Sequence, residues 1–404
     1  MLKTLILCNF GIEIQNYIKM YIERQITAAI QQSLLEMPIV TITGPRQSGK
    51  TTLAQKVAPN FTYVNLENLD DKEFAANDPR GFLNRYGERT IIDEIQNVPT
   101  LFSYLQTVTD SRGAKGQYIL TGSQQFSLLS NITQSLAGRT ALYRLLPLSI
   151  GEVSNVLPLP DAFEDYIWKG SYPRIYADNL NPTRWLNDYI QTYIERDVRQ
   201  LQNIKDLRTF TQFTRMLAGR VGQLLNLNDI TNQIGIDNKT AKSWLSVLEA
   251  SFIIHILPPH FVNFNKRIVK TPKLYFLDTG LACALLNIKS GEDLATHYSR
   301  GALFENWVIT EVIKNRLNQG NSITDLYFWR DSNGNEMDLV IGDKAEKAFE
   351  IKASQTLKTN LFESLDKYKK LNPEAETCLI YGGTEQRKQY GSEVIGWKNM
   401  AQIG

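Results

Sequence analysis

Cysteine and histidine are both scarce, with three of each in 404 residues. Cys8, Cys283 and Cys378 are scattered without Cys-x-x-Cys spacing, and the histidines sit apart from them. This argues against a zinc site and a disulfide framework and suits a reducing, cytoplasmic compartment. Long apolar runs are absent as well. Nothing approaches the ~20 consecutive apolar residues of a membrane span, so a membrane partner is not expected. Net charge is nearly absent, at +2 from 44 basic and 42 acidic side chains. Nucleic-acid binding would therefore rely on local basic patches. The apolar stretch Leu2–Phe10 is broken by Lys3 and lacks a small-residue cleavage pattern, so it does not read as a signal peptide. Met20 reads as a natural start, and residues 1–19 as an N-terminal extension without chemistry.

The chain does have length for two or three domains, and an ordinary globular composition of 43% hydrophobic and 21% charged residues. Its most informative stretch is Gly44-Pro45-Arg46-Gln47-Ser48-Gly49-Lys50-Thr51-Thr52. It fits G-x-x-x-x-G-K-[ST], with a β-branched run (Ile39–Thr43) before it and a helix-like segment after it. Glycines at both ends let successive N–H groups face one anion, and the helix N-terminus adds unpaired donors and the positive dipole end. In such a loop Lys50 reaches the β- and γ-phosphates of a nucleotide and Thr51 holds Mg²⁺. The alternative is a glycine turn that binds nothing.

Helical spacing over Ile22–Leu35 leads into the loop strand, and Phe61–Leu66 reads as a second strand. Thr90-Ile91-Ile92-Asp93-Glu94 is an apolar strand ending in two acids. In open α/β sheets ligands sit at the carboxyl ends of strands, so Asp93 is expected at the Mg²⁺ shell and Glu94 at the attacking water. Gln117–Thr121 is a further strand, running into Gly122-Ser123-Gln124. Ser123, with Thr121 and Gln124 behind it, is the candidate γ-phosphate sensor; a simple glycine turn is the other reading. Arg139 either answers transition-state charge, in this chain or across a homo-oligomer, or is an ordinary surface arginine.

Together, Gly44–Thr52, Asp93-Glu94-Ile95-Gln96, Leu120–Gln124 and Leu136-Ala137-Gly138-Arg139 resemble one family. It comprises prokaryotic AAA-type ATPases with a C-terminal domain of uncharacterised function related to restriction-endonuclease folds. The resemblance runs from about residue 20 to the end. It implies an α/β fold class with an ASCE-type P-loop core of parallel strands (20–148), then a helical lid (149–206), a winged helix (207–290) and a nuclease-like α/β domain (291–404). ATP and Mg²⁺ are the implied cofactors.

In the middle of the chain, Gly170-Ser171-Tyr172-Pro173-Arg174 is a turn without an assigned role. Asn187–Val198 reads as a helix with Tyr189, Ile190, Tyr193, Ile194 and Val198 on one face. Asn228–Gly235 and Thr240–Glu249 have helix-turn-helix spacing, with Leu245 and Leu248 inward and Lys239, Thr240, Lys242 and Ser243 outward. Phe252–Leu257 and Lys273–Leu277 are expected to pair as a wing, with Lys266, Arg267 and Lys270 between them. DNA contact and a pure packing role both fit this module.

Near the C-terminus, a strongly amphipathic helix opening at Gly301–Val308 precedes strands at Tyr327–Arg330, Glu336–Ile341 and Ala348–Ala353. Glu350 and Lys352 share one strand face, and Asp338 lies on the strand before. Two carboxylates can hold Mg²⁺ through oxygen ligands, and a lysine beside them can activate water. The pattern resembles a PD-(D/E)xK core, with Glu305 as the helix acid. The resulting expectation is an ATP-hydrolysing enzyme that gates a DNA-processing domain. The alternative is an ATP-dependent switch or scaffold that binds DNA or a protein without cutting. A small-molecule kinase is disfavoured, since no substrate-pocket motif accompanies the loop.

Overall fold

The computed structural model describes residues 20–123, 132–194, 206–260 and 270–403. The expected N-terminal extension, Gln124, Lys266 and Arg267 lie outside these residues, as do the side chains of Tyr193 and Ile194 and all of Val198.

The first unit contains α1 (Thr27–Glu36), β1 (Ile39–Thr43), α2 (Lys50–Val57), β2 (Thr62–Asn65), α3 (Leu69–Asn77) and α4 (Pro79–Tyr86). It continues with β3 (Thr90–Asp93), α5 (Leu101–Arg112), β4 (Tyr118–Gly122) and β5 (Thr140–Arg144). The strands form one parallel sheet in the order β2-β3-β4-β1-β5. Alternation along the strands supplies two cores. Ile39, Ile92, Tyr118 and Leu120 pack on one face, and Val40, Ile42, Ile91 and Ile119 on the other. Short polar residues stop and start the helices: Asn68 caps α3, and Asp78, followed by Pro79, caps α4. The strand order has a direct consequence for chemistry, because β4 runs between β1 and β3 and ends between the loop and the two acids.

One expectation about this unit needs correction. The helix foreseen from Ile22 begins only at Thr27. Arg24 is buried, its guanidinium donating to Ser48 O, Leu146 O and Glu152 while its carbonyl accepts from Thr27 at the helix start, and residues 21–24 form an irregular segment.

Four short helices follow: α6 (Ile150–Ser154), α7 (Phe163–Lys169), α8 (Pro173–Ala177) and α9 (Pro182–Tyr189). The helix foreseen at Asn187–Val198 thus starts earlier, at Pro182, and widens into a π-type turn at Ile190–Ile194. Gly170 separates α7 from α8 at φ +71°, and its Cα sits where a side chain on Gly280 would collide. Then come α10 (Leu207–Ala218), α11 (Leu227–Ile234), α12 (Asn238–Ala250), β6 (Ile254–Leu257), β7 (Lys273–Phe276) and α13 (Thr279–Leu285). Gly235, at φ +79°, closes α11, and Asp237 caps α12. β6 and β7 pair antiparallel as expected. β7 is buried along its whole length, and Asn306 accepts and donates hydrogen bonds at the Phe276 backbone.

The last unit holds α14 (Gly291–Thr296), α15 (Arg300–Asn318), β8 (Leu326–Arg330), β9 (Glu336–Ile341), β10 (Lys347–Lys352), α16 (Glu363–Leu371), β11 (Glu376–Tyr381), β12 (Arg387–Gln389) and β13 (Ser392–Gly396). Strands β8, β9 and β10 form an antiparallel meander, α16 crosses over, and β11 joins β10 in parallel. α15 is not the half-exposed helix expected. It is buried nearly all round from Leu303 to Asn315, including Glu311 and Lys314, which pair at 2.9 Å. The reason is its position. A single apolar core runs from the α7–α9 segment (Phe163, Tyr172, Leu186) through α10 and α12 to one face of the C-terminal sheet (Phe349, Ile351, Ile380), with α15 at its centre. The segments expected to be lid, winged helix and nuclease-like domain therefore share one core. Among the described residues, no helix is long and apolar enough to cross a membrane.

Candidate nucleotide site and C-terminal carboxylate cluster

The loop between β1 and α2 is shaped by backbone that glycine allows. Gly44 has φ +153°, and a side chain there would collide with the Leu145 carbonyl oxygen; Gly49 has φ +94°. The loop, from Arg46 to Thr52, lines a cavity of about 690 Å³ together with Asp93, Glu94, Tyr63 and Arg174. Lys50 donates to the carbonyls of Gly44 (3.0 Å) and Pro45 (2.9 Å) at the mouth of the loop. The Thr51 hydroxyl donates to Asp93 Oδ2 at 2.9 Å. Ser123 Oγ donates to Glu94 Oε2 at 3.1 Å. Thr121 donates to Asp93 Oδ1, and Gln96 to Glu94 Oε2. The loop, the strand-end acids and the β4 tip thus meet at one place, although 29 residues separate Ser123 from Glu94. Glu94 adopts φ +54°, an uncommon conformation for a non-glycine residue that turns the chain sharply after β3.

Three participants were not singled out from the sequence. Tyr63, from β2, donates to the Asp93 oxygen that Thr51 also uses, at 2.8 Å. Burial, and then the Asp93 carboxylate, raise its phenol well above the ordinary value, so it stays a donor. Arg24 reaches the loop from below: Nη1 donates to Ser48 O (2.8 Å), Nη2 to Leu146 O (2.7 Å) and Nε to Glu152 Oε1 (3.0 Å). Arg174, from the turn that had no role, lines the cavity while pairing with Asp178 at 3.1 Å. Arg24 follows Glu23 between the apolar positions Ile22 and Ile26, and nothing in that local pattern set it apart. Arg139 is not brought to the cavity; its guanidinium holds both oxygens of Asp110, at 2.6 and 2.9 Å.

From the loop, a buried polar chain continues into the rest of the molecule. Glu152 also accepts from the Gln25 and Ser149 backbone N–H groups, each at 2.9 Å. The neighbouring Ile150 N–H donates to Glu311 on α15 at 2.7 Å, and Lys314 joins Glu311 to Leu148 O and Ser171 Oγ.

The C-terminal residues expected to act together are gathered, but with additional company. Lys352 Nζ lies 2.5 Å from Glu350 Oε1 and 3.5 Å from Asp338 Oδ2. Glu305 accepts from Tyr275 OH (2.6 Å) and from Lys273 Nζ (3.0 Å). Lys273 also pairs with Glu336 and lies 3.8 Å from Asp338. Burial raises the carboxyl pKa values of Glu305 and Glu350, each to about 7. Burial works to lower the Lys273 pKa, but the surrounding carboxylates outweigh it and the net shift is upward. On α12, Lys239 and Lys242 are exposed, whereas Thr240 donates to the Asp237 cap at 2.7 Å and Ser243 is half-buried. Lys270 is exposed.

Comparison with known proteins decides the family. Residues 36–154 match the AAA domain, 160–292 a domain of unknown function (DUF8612) and 300–400 a second domain of unknown function (DUF4143). An uncharacterized protein of Mycobacterium tuberculosis, Rv2008c, is 32% identical over 345 residues, covering 83% of this chain and 75% of that protein. The chain belongs to this family of AAA-domain P-loop ATPases. A Haemophilus influenzae member is 25% identical over 397 residues, covering 88% of this chain and 92% of that one. Among solved structures, the Walker-type ATPase of Pyrococcus abyssi superposes with a TM-score of 0.44 at 15% identity, covering 65% of this chain and 95% of that one. One family segment, 160–292, spans both the expected lid and the expected winged helix, in keeping with their common core.

Proposed function

We propose that this ATPase binds Mg²⁺–ATP in the cavity above residues 44–52 and hydrolyses it. The reading rests on the convergence of Lys50, Thr51, Asp93 and Glu94 on one cavity. The donor set fits the group. Thr51 and Asp93 are already adjacent and offer hard oxygens for the metal, and Lys50 is held by the loop carbonyls of Gly44 and Pro45 at the place where phosphates would lie. When bound, Mg²⁺ supplies charge neutralisation for the β- and γ-phosphates. Lys50 exchanges its two carbonyls for phosphate oxygens. Asp93 is oriented by Thr121 and Tyr63. Glu94, held by Ser123 and Gln96, positions and polarises the attacking water. The Ser123–Glu94 hydrogen bond gives the β4 tip a direct hold on this carboxylate, which suits a sensor of the γ-phosphate. The Glu94→Gln variant should bind ATP as the parent does and turn it over about 10²–10⁴ times more slowly. Unchanged turnover removes Glu94 from the mechanism.

The buried chain from Ser48 through Arg24, Glu152 and Glu311 supports a further step, in which the nucleotide state is passed to α15 and the C-terminal sheet. We assign DNA as the partner of the neighbouring α11–β7 segment, with exposed Lys239, Lys242 and Lys270 as phosphate contacts. The antiparallel meander, crossover helix and parallel strand carrying Asp338, Glu350 and Lys352 favour a nuclease-like scaffold. Engagement of the carboxylates by lysines favours binding over cutting. Labelled linear and circular DNA, incubated with ATP and Mg²⁺ or Mn²⁺, should be bound and left whole. Strand breaks that vanish in Asp338→Ala and Lys352→Ala would establish the cutting alternative.

A further inference from the structure

Four carboxylates (Glu305 on α15, Glu336 and Asp338 on β9, Glu350 on β10) face one another in the C-terminal unit. In a metal-dependent site their free oxygens would be the ligands. Here each carboxylate already has a cation or another donor on at least one oxygen. Glu305 Oε1 accepts from both Lys273 and Tyr275. Asp338 Oδ2 accepts from the Ile351 backbone N–H at 2.8 Å and faces Lys352, while Oδ1 faces Lys273. Glu350 Oε1 takes Lys352 and, at 3.4 Å, Ser364 Oγ. Glu336 takes Lys273 and Arg330. Three cations thus balance most of four negative charges. Among the described residues, no group of three or more His, Cys, Asp or Glu is arranged to hold a metal ion.

Lys273 is the unusual member. It comes from β7, well before the sheet in sequence, and its side chain is 3% exposed. Its strand is held from the other side, where Gly222 and Leu225 N–H groups donate to Leu274 and Pro272. Gly222, at φ +72°, borders the Glu305 carboxylate, which a Cβ at this position would meet in ordinary van der Waals contact. A buried ammonium needs this many acceptors, and a carboxylate cluster this dense needs a counter-charge.

We infer that the C-terminal carboxylate cluster is a metal-excluding clasp, in which the Lys273 ammonium stands among Glu305, Glu336 and Asp338 in place of a divalent cation and pins the β6–β7 hairpin to the C-terminal sheet. A divalent ion enters only when that ammonium is removed, because the two charges compete for the same oxygens at short range.

The test uses Mn²⁺ alone on the full chain, read by the loss of free Mn²⁺ signal in electron paramagnetic resonance. No nucleotide is added, so the outcome is independent of the ATPase reading. Parent protein and Asp338→Asn should bind the same amount of Mn²⁺. Lys273→Met, which keeps the volume and loses the charge, should gain one site per chain, and that site should vanish in Lys273→Met/Asp338→Asn. Parent protein that binds one Mn²⁺ lost on Asp338→Asn overturns the inference, as does a folded Lys273→Met that gains nothing. If Lys273→Met does not fold, the comparison of parent with Asp338→Asn still decides.

Discussion

Arg24 offers the sharpest test of how this ATPase is held together. Its guanidinium is 4% exposed and donates to the Ser48 carbonyl of the phosphate loop, to Leu146 O after β5 and to Glu152, which is fully buried. The Arg24→Met variant keeps most of the volume and removes all three donors. Glu152 would keep its backbone donors at Gln25 and Ser149 but lose its counter-charge. Breaking a buried pair from one side typically costs about 3–5 kcal/mol, and the retained N–H donors place Arg24→Met at the lower end, near 3. The exposed pair Lys347–Glu376, at 3.5 Å with side chains 58% and 76% exposed, is the control. Glu376→Gln should cost no more than about 0.5 kcal/mol. Urea denaturation gives both values. The double variant Arg24→Met/Glu152→Gln should lose less than the two single losses added, because each single change strands a buried partner. Nucleotide affinity should fall in Arg24→Met, since the Ser48 carbonyl is no longer tied down. Stability within about 0.5 kcal/mol of the parent, with unchanged ATP affinity, would refute the reasoning.

Two other outcomes follow from the same coordinates. Tyr63→Phe removes one of three hydroxyl donors on Asp93. It should lower stability by about 1 kcal/mol and raise the Mg²⁺ concentration needed for half-maximal turnover, with metal-free nucleotide binding unchanged; an unaltered Mg²⁺ dependence removes Tyr63 from the site. His255 has a buried Nε2 without a partner, and burial, aided by the nearby Arg144, lowers its pKa from 6.5 to about 4. The unfolded chain therefore takes up this proton first as pH falls, so stability is present above pH 6.5 and is lost between about 6.5 and 4. At about 1.36 kcal/mol per pH unit the loss reaches roughly 3 kcal/mol. His255→Phe should flatten that acid limb in denaturation curves, and an identical limb excludes the histidine as its source.

The contrast between what was readable and what was not has a physical origin. Residues 44–52 and 93–94 could be read because a phosphate cradle is built from consecutive backbone and from residues at the end of one strand, so the chemistry and its spacing lie within a few positions. The parallel sheet was equally legible, since strands buried on both faces appear as unbroken apolar runs. Arg24 meets Glu152 across 128 positions, and Lys273 meets Glu305 across 32. No local pattern encodes such meetings. The clearest failure was α15. A strongly amphipathic helix implies a wet face, and charges such as Glu311 and Lys314 would belong on it. They are instead a buried pair that ties Leu148, Ile150 and Ser171 to the centre of the shared core.

A charge on an apolar helix is ordinarily assigned to solvent because burial is costly. That rule gives way when the backbone of another segment needs partners. The start of α6 presents the Leu148 C=O and the Ile150 N–H inside the core, and backbone groups there must be satisfied. Glu311 and Lys314 satisfy them from α15, as Glu152 and Arg24 do beside the phosphate loop. The polar groups that escaped the sequence reading are thus those that join one segment's backbone to another's side chains. In this ATPase they form the physical connection between the nucleotide cavity and the C-terminal sheet.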